Sequence, residues 1–202
     1  MSKKALIIVD VQNDFCPGGA LAVPDGHLVV PIINDLQENG NFDVIVATQD
    51  WHPANHGSFA SAHEGKSPGD IVLLGGLPQI LWPDHCVQFT PGSEFVESLN
   101  TERIQKIVQK GTDPGIDSYS GLNDNGHKNS TGLGEFLKEN EITDVHIAGL
   151  ATDYCVKFTA LDSHEFGFKT SVVVGACRGV NLIPTDVDNA LRDLRIAGVD
   201  LL

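Results

Sequence analysis

Ala5–Asp10 is an unbroken aliphatic run closed by an acid, the pattern of a strand buried on both faces. Val29, Ile32, Ile33 and Leu36 recur at i, i+3, i+4 and i+7, which is one stripe of a helix. Pro31 suits the first turn of that helix and Gly40 its end. Val44–Thr48 reads as a second strand running out at Asp50, and Ile104–Val108 as a third running out at Lys110. Leu133, Phe136 and Leu137 mark a short helix, Val145–Leu150 a fourth strand, and Tyr154–Glu165 a helix stopped by Gly167. Ser171–Gly175 is a fifth strand. Thr185 caps a last helix carrying Val187, Ala190, Leu191 and Leu194 at helical spacing, and Val199–Leu202 is a sixth, edge strand. Strands alternating with helices predict an α/β fold: three layers, α/β/α, around a mostly parallel sheet of about six strands.

The rhythm breaks between about residues 51 and 100, a long stretch rich in Pro, Gly and His. Segments of that length without regular structure tend to be functional. There are no repeats, low-complexity runs or linkers, so residues 1–202 read as a single domain. Open parallel sheets bind ligands beyond the carboxyl ends of their strands. Asp10, Asp50, Lys110 and the turn Ala151–Cys155 all fall at such ends, so positions distant in sequence are expected to meet in one crevice.

Composition narrows the partners. The chain holds 27 acidic against 13 basic residues, a net charge of −14. A nucleic-acid partner needs a basic face, and an anionic membrane surface is disfavoured for the same reason. A neutral small molecule fits best. The apolar run after Lys3 and Lys4 is too short for a signal peptide, and no stretch approaches a membrane span. The four cysteines, Cys16, Cys86, Cys155 and Cys177, include no CxxC pair. The expectation is a cytoplasmic protein with free thiols.

Cys155 is the candidate nucleophile. It follows a strand and sits in the expected first turn of a helix, where unpaired N–H groups favour a thiolate and can hold an oxyanion. Against this stands the ordinary reading of a small core residue. Asp10 is a candidate general base for the thiol and acid for a departing amine, or simply a cap on the next segment. Lys110 is either a solvated lysine or an ammonium turned into the crevice. Asp50 and His52 lie at i and i+2, on one face of an extended chain. With His56 and His85 they make a donor set suited to zinc, iron or manganese. The remaining histidines, His27, His63, His127, His146 and His164, lack matching partners and read as structural.

Five segments carry a likeness to a known family. They are Val9–Gly19 (VDVQNDFCPGG), Thr48–His56 (TQDWHPANH), Trp82–Val87 (WPDHCV), Gln109–Thr112 with Asp117–Ser120, and Gly149–Val156 (GLATDYCV). In this order, across nearly the whole chain, they resemble the nicotinamidase (pyrazinamidase) family of the isochorismatase-like cysteine hydrolases. The resemblance implies an isochorismatase-like fold and hydrolysis of nicotinamide to nicotinate and ammonia through a thioester. It implies a triad of Asp10, Lys110 and Cys155, and one divalent metal on Asp50, His52, His56 and His85 with no organic cofactor. It implies Phe15 and Trp82 on the two sides of the substrate ring, with Ala151 and Tyr154 also at the substrate. A cis peptide at Leu150–Ala151 would aim the Ala151 N–H into an oxyanion hole beside that of Cys155. Alternatives are a sibling amidohydrolase for a carbamoyl or ureido compound, a metal-hydroxide hydrolase with an idle cysteine, and a non-catalytic binding module. A homo-oligomer stays open.

Overall fold

The computed structural model describes residues 2–202. Six strands form one sheet, β1 (Lys3–Val9), β2 (Val44–Asp50), β5 (Lys106–Lys110), β6 (Ile142–Leu150), β7 (Lys169–Arg178) and β8 (Asp200–Leu201). Their spatial order is β5-β2-β1-β6-β7-β8, and every neighbouring pair is parallel. The helices are α1 (Val29–Asn39), α2 (Leu133–Glu139), α3 (Lys157–Glu165) and α4 (Asp186–Ala197). Alternate residues of the central strands feed two cores. Leu6 and Ile8 pack with Val29, Val30 and Ile33 of α1 on one face. Ala5, Ile7 and Val9 pack with Leu133, Leu137, Ala160 and Leu194 from α2, α3 and α4 on the other. A sheet covered on both faces explains why β1 is aliphatic at every position rather than at every second one.

From β1 the chain builds outward in both directions, so the strand order reverses between β1 and β6, where Val9 stands beside Gly149. That reversal opens a crevice at the carboxyl ends. Gly149 is required there: at φ +129° a Cβ would lie 2.1 Å from the Val9 carbonyl oxygen, so no larger residue lets the two strands meet.

Most of the predicted elements are present, with two differences. The stretch 51–100 contains an antiparallel hairpin, β3 (Ile71–Leu74) and β4 (Leu77–Ile80), turning at Gly75 and Gly76. Its apolar residues Ile71 and Leu73 are exposed, so no buried stripe betrayed it. The second difference concerns α4. Thr185 stands at its N-cap but makes no capping bond with its side chain; the Val187 N–H is met by Asn181 Oδ1 at 3.0 Å. Among the described residues no helix is long and apolar enough to cross a membrane, and all four cysteines are free and buried.

Candidate active site

Strand register assembles the site. Val44, Val46, Thr48 and Asp50 alternate onto one face of β2, and Asp50 is the direct neighbour of Lys110 on β5. The Lys110 side chain is fully buried. Its ammonium donates to Asp50 Oδ1 and to the Ser118 carbonyl oxygen at 3.0 Å, and lies 3.4 Å from Cys155 Sγ. It also lies 2.9 Å from Asp10 Oδ2 as a buried ion pair. That oxygen is left as a buried acceptor without a donor. The other oxygen, Oδ1, accepts from Thr48 Oγ1 at 2.6 Å. Asp10 itself sits just past the end of β1 at φ +49°, a left-handed conformation in which the chain turns its carboxylate toward β2 and β6.

The Leu150–Ala151 peptide is cis, as the resemblance implied. Ala151 leads into a π-helical turn, Thr152–Val156, that precedes α3 and carries Cys155. The Ala151 carbonyl accepts from both Tyr154 and Val156. Cys155 Sγ and carboxylate oxygens of Asp10 and Asp50 all lie within 4.8 Å of one another, so the sulfur is neither isolated nor remote from the acid.

The electrostatics correct one expectation. A helix N-terminus was expected to favour a thiolate. Instead burial pushes the Cys155 thiol well above its usual range, Lys110 pulls it back only in part, and Asp10 and Asp50 add to the rise. Burial also raises the Asp10 carboxyl, with Lys110 and the Thr48 hydroxyl opposing. Burial works against the charge on Lys110 too, but Asp10 and Asp50 outweigh it and hold the ammonium well above its normal pKa. For Asp50 the burial cost is overcome chiefly by Lys110, which keeps its carboxylate ionised.

A second group of donors adjoins the first. His52 Nδ1 donates to the Gly111 carbonyl at 2.8 Å, and His85 Nδ1 donates to the Pro83 carbonyl at 2.8 Å. Each ring then presents the bare Nε2 lone pair to Asp50 Oδ2, at 3.6 and 3.7 Å. When both rings are neutral, these two nitrogens and the carboxylate oxygen are three converging acceptors, an arrangement a cation satisfies. The donor set therefore fits a divalent metal. His85 reaches it because Cys86 and Gln88 pair with the His52 backbone. His56 is placed differently. Its ligand atom groups with those of His52 and Asp117, not with those of Asp50 and His85. Its Nδ1 receives the Ser58 N–H at 3.2 Å, its Nε2 is buried without a partner, and burial followed by His52 pushes its pKa down to about 4.

Cys155 and the Asp50, His52 and His85 cluster line one cleft together with Phe15, Trp82, Tyr119, Ala151 and Tyr154. Phe15 packs on His85 with ring centroids 5.5 Å apart, and Trp82 meets Tyr154 edge-on at 4.9 Å. All the sequence-predicted substrate positions thus line the cleft. Several contributors were not named from sequence. Gln79 donates to Asp117 Oδ2 at 3.1 Å and to the Tyr119 hydroxyl at 3.0 Å, behind Trp82. Gln12 grips the Asp50 backbone from both sides, donating to its carbonyl and accepting its N–H. Asp14 accepts the Cys86 N–H at 2.7 Å and so anchors the His85 segment. Gln12 and Asp14 lie within the quoted motif, which was the available signal; Gln79 had none.

The Isochorismatase domain model matches residues 4–202. The chain belongs to the isochorismatase family. Among the relatives of this isochorismatase-family chain is the nicotinamidase of Escherichia coli (strain K12), 47% identical over 205 residues that cover 100% of this chain and 95% of the relative. The structure of a nicotinamidase/pyrazinamidase from Acinetobacter baumanii superposes with a TM-score of 0.96 at 44% identity, covering 100% and 96% of the two chains. A pyrazinamidase of Pyrococcus horikoshii, solved in complex with zinc, superposes with a TM-score of 0.80 at 38% identity, covering 99% and 98%.

Proposed function

We propose that the chain is a cytoplasmic single-domain amidohydrolase that converts nicotinamide to nicotinate and ammonia in NAD salvage, and that also accepts pyrazinamide. The observation that carries the reading is the meeting of Cys155, which lines an aromatic cleft, with Asp10 and Lys110 beside a metal-type donor set. The identity to nicotinamidases over the full chain supports the choice of substrate.

Asp10 Oδ2, the acceptor without a donor, takes the Cys155 proton as sulfur attacks the carboxamide carbon. Lys110 holds its charge throughout and steadies whichever of the two partners is anionic. The Ala151 and Cys155 N–H groups receive the oxyanion, each donor contributing about 10²–10³ in rate. Asp10 returns its proton to the leaving nitrogen, so ammonia departs and a nicotinoyl thioester stays on Cys155. Water then attacks the thioester carbon, giving its proton to Asp10, which passes it to sulfur as nicotinate leaves. Phe15 and Trp82 fix the ring by its faces. Asp50, His52, His56 and His85 would hold a divalent metal, with Asp117 beside His56; when bound, it would supply a Lewis acid for the pyridine nitrogen.

The test is ammonia release from nicotinamide by wild type and Cys155→Ala. Wild type turns over and shows a nicotinoyl adduct by mass spectrometry, while the variant keeps its metal and loses activity. An active Cys155→Ala protein refutes covalent catalysis.

A further inference from the structure

The turn that carries the nucleophile also holds a carboxylate that the chemistry above leaves unused. Asp153 is buried two residues before Cys155. Its Oδ1 accepts the Val180 N–H at 2.9 Å and its Oδ2 the Asn181 N–H at 2.7 Å. Both oxygens are thus engaged by consecutive amides of the loop that follows β7. Bonds to an ionised acceptor are the stronger kind, and two in parallel fix direction as well as distance. The loop is held closely at this point: a Cβ on Gly179 would lie 3.1 Å from Asp153 Oδ1 and 2.1 Å from Val187 Cγ2. Asn181, at φ +51°, turns its side-chain oxygen back to the Val187 N–H in the first turn of α4. The nucleophile turn, the loop and α4 are therefore tied through two side chains, Asp153 and Asn181.

What the loop delivers is Val180. Val180 lines the catalytic cleft together with Leu21, the aromatic residues and the metal cluster. Val180 and Leu21 are the branched aliphatic residues of that lining and carry no reacting group. We infer that Asp153 is a positioning residue that sets Val180 as the wall limiting substrate size, so that this pair decides which substituted pyridine carboxamides enter. The inference rests on the proposed amide hydrolysis. In a hydrophobic pocket one methyl group changes discrimination by about tenfold or more, so a displaced wall registers in substrate choice even where nicotinamide itself still reacts.

The experiment measures kcat and KM for nicotinamide and for nicotinamides methylated at C2, C4, C5 or C6, with wild type, Val180→Ala, Asp153→Asn and the double variant. The amide of Asp153→Asn keeps the shape, but its NH2 faces a backbone N–H, so only one of the two bonds survives. Val180→Ala is expected to raise kcat/KM of at least one methylated compound relative to nicotinamide by roughly tenfold. Asp153→Asn moves the same ratio in the same direction, mainly through KM, and the double variant gains little beyond either single one. A purely structural Asp153 would lower the melting temperature and leave the ratio in place, and that result overturns the inference. Fully additive effects in the double variant overturn it as well. Should Asp153→Asn not fold, Val180→Ala alone decides, because an unmoved ratio there removes the wall. A wild type that releases no ammonia from any compound removes the proposed function and this inference together; wild-type turnover with unmoved ratios removes the inference alone.

Discussion

Thr48→Val isolates the acid that is proposed to carry every proton. Valine keeps the shape of threonine, so the packing of β2 survives, and only the 2.6 Å bond from Thr48 Oγ1 to Asp10 Oδ1 is lost. That hydroxyl donates to the ionised carboxylate and opposes the upward push of burial on Asp10. Without it Asp10 Oδ1 joins Oδ2 as a buried oxygen lacking a hydrogen bond, and the pKa of Asp10 rises further. The general base works only when deprotonated, so the acid limb of the kcat/KM profile moves to higher pH. A hydrogen bond to a charged group contributes about 1.5–3 kcal/mol. On the acid side of the wild-type limb, kcat/KM therefore falls by about 10- to 150-fold, while the two profiles converge at alkaline pH. The assay is ammonia release from nicotinamide across the pH range, with metal content measured on the same samples. A limb that stays in place, or a loss equal at every pH, refutes Asp10 as the titrating base.

Three further outcomes follow from the same geometry. Lys110→Met leaves the buried Asp10 and Asp50 carboxylates without their shared cation, which costs about 3–5 kcal/mol of stability; a denaturant midpoint equal to wild type would contradict the pairing. His52→Ala, His56→Ala and His85→Ala each lose bound metal and raise KM, read by elemental analysis and kinetics; wild-type metal content in all three discards the ligand assignment. Stripping the metal with a chelator lowers activity, and zinc, iron or manganese restores it in wild type but not in His52→Ala.

Much of this was legible in the sequence for one reason. In a parallel sheet the chemistry sits where aliphatic strands run out, so Asp10, Asp50 and Lys110 could be found as polar endings of apolar runs. The hairpin at residues 71–80 escaped because its apolar side chains face outward. The roles of Thr48, Gln79 and Asp153 escaped because each depends on a partner that only folding supplies. The thiol was misjudged for a related cause. Sequence shows that Cys155 opens a helical turn, but the burial that outweighs the turn is a property of the assembled crevice.

Lys110 also constrains how such a site can change. One ammonium answers both the acid that moves protons and the acid that faces the metal donors. Reaction chemistry and metal preference are therefore not separable modules. A descendant that traded Asp50 for another ligand would unbalance Asp10 at the same stroke, and would have to rebuild both ends of the lysine's reach to stay alive as an enzyme.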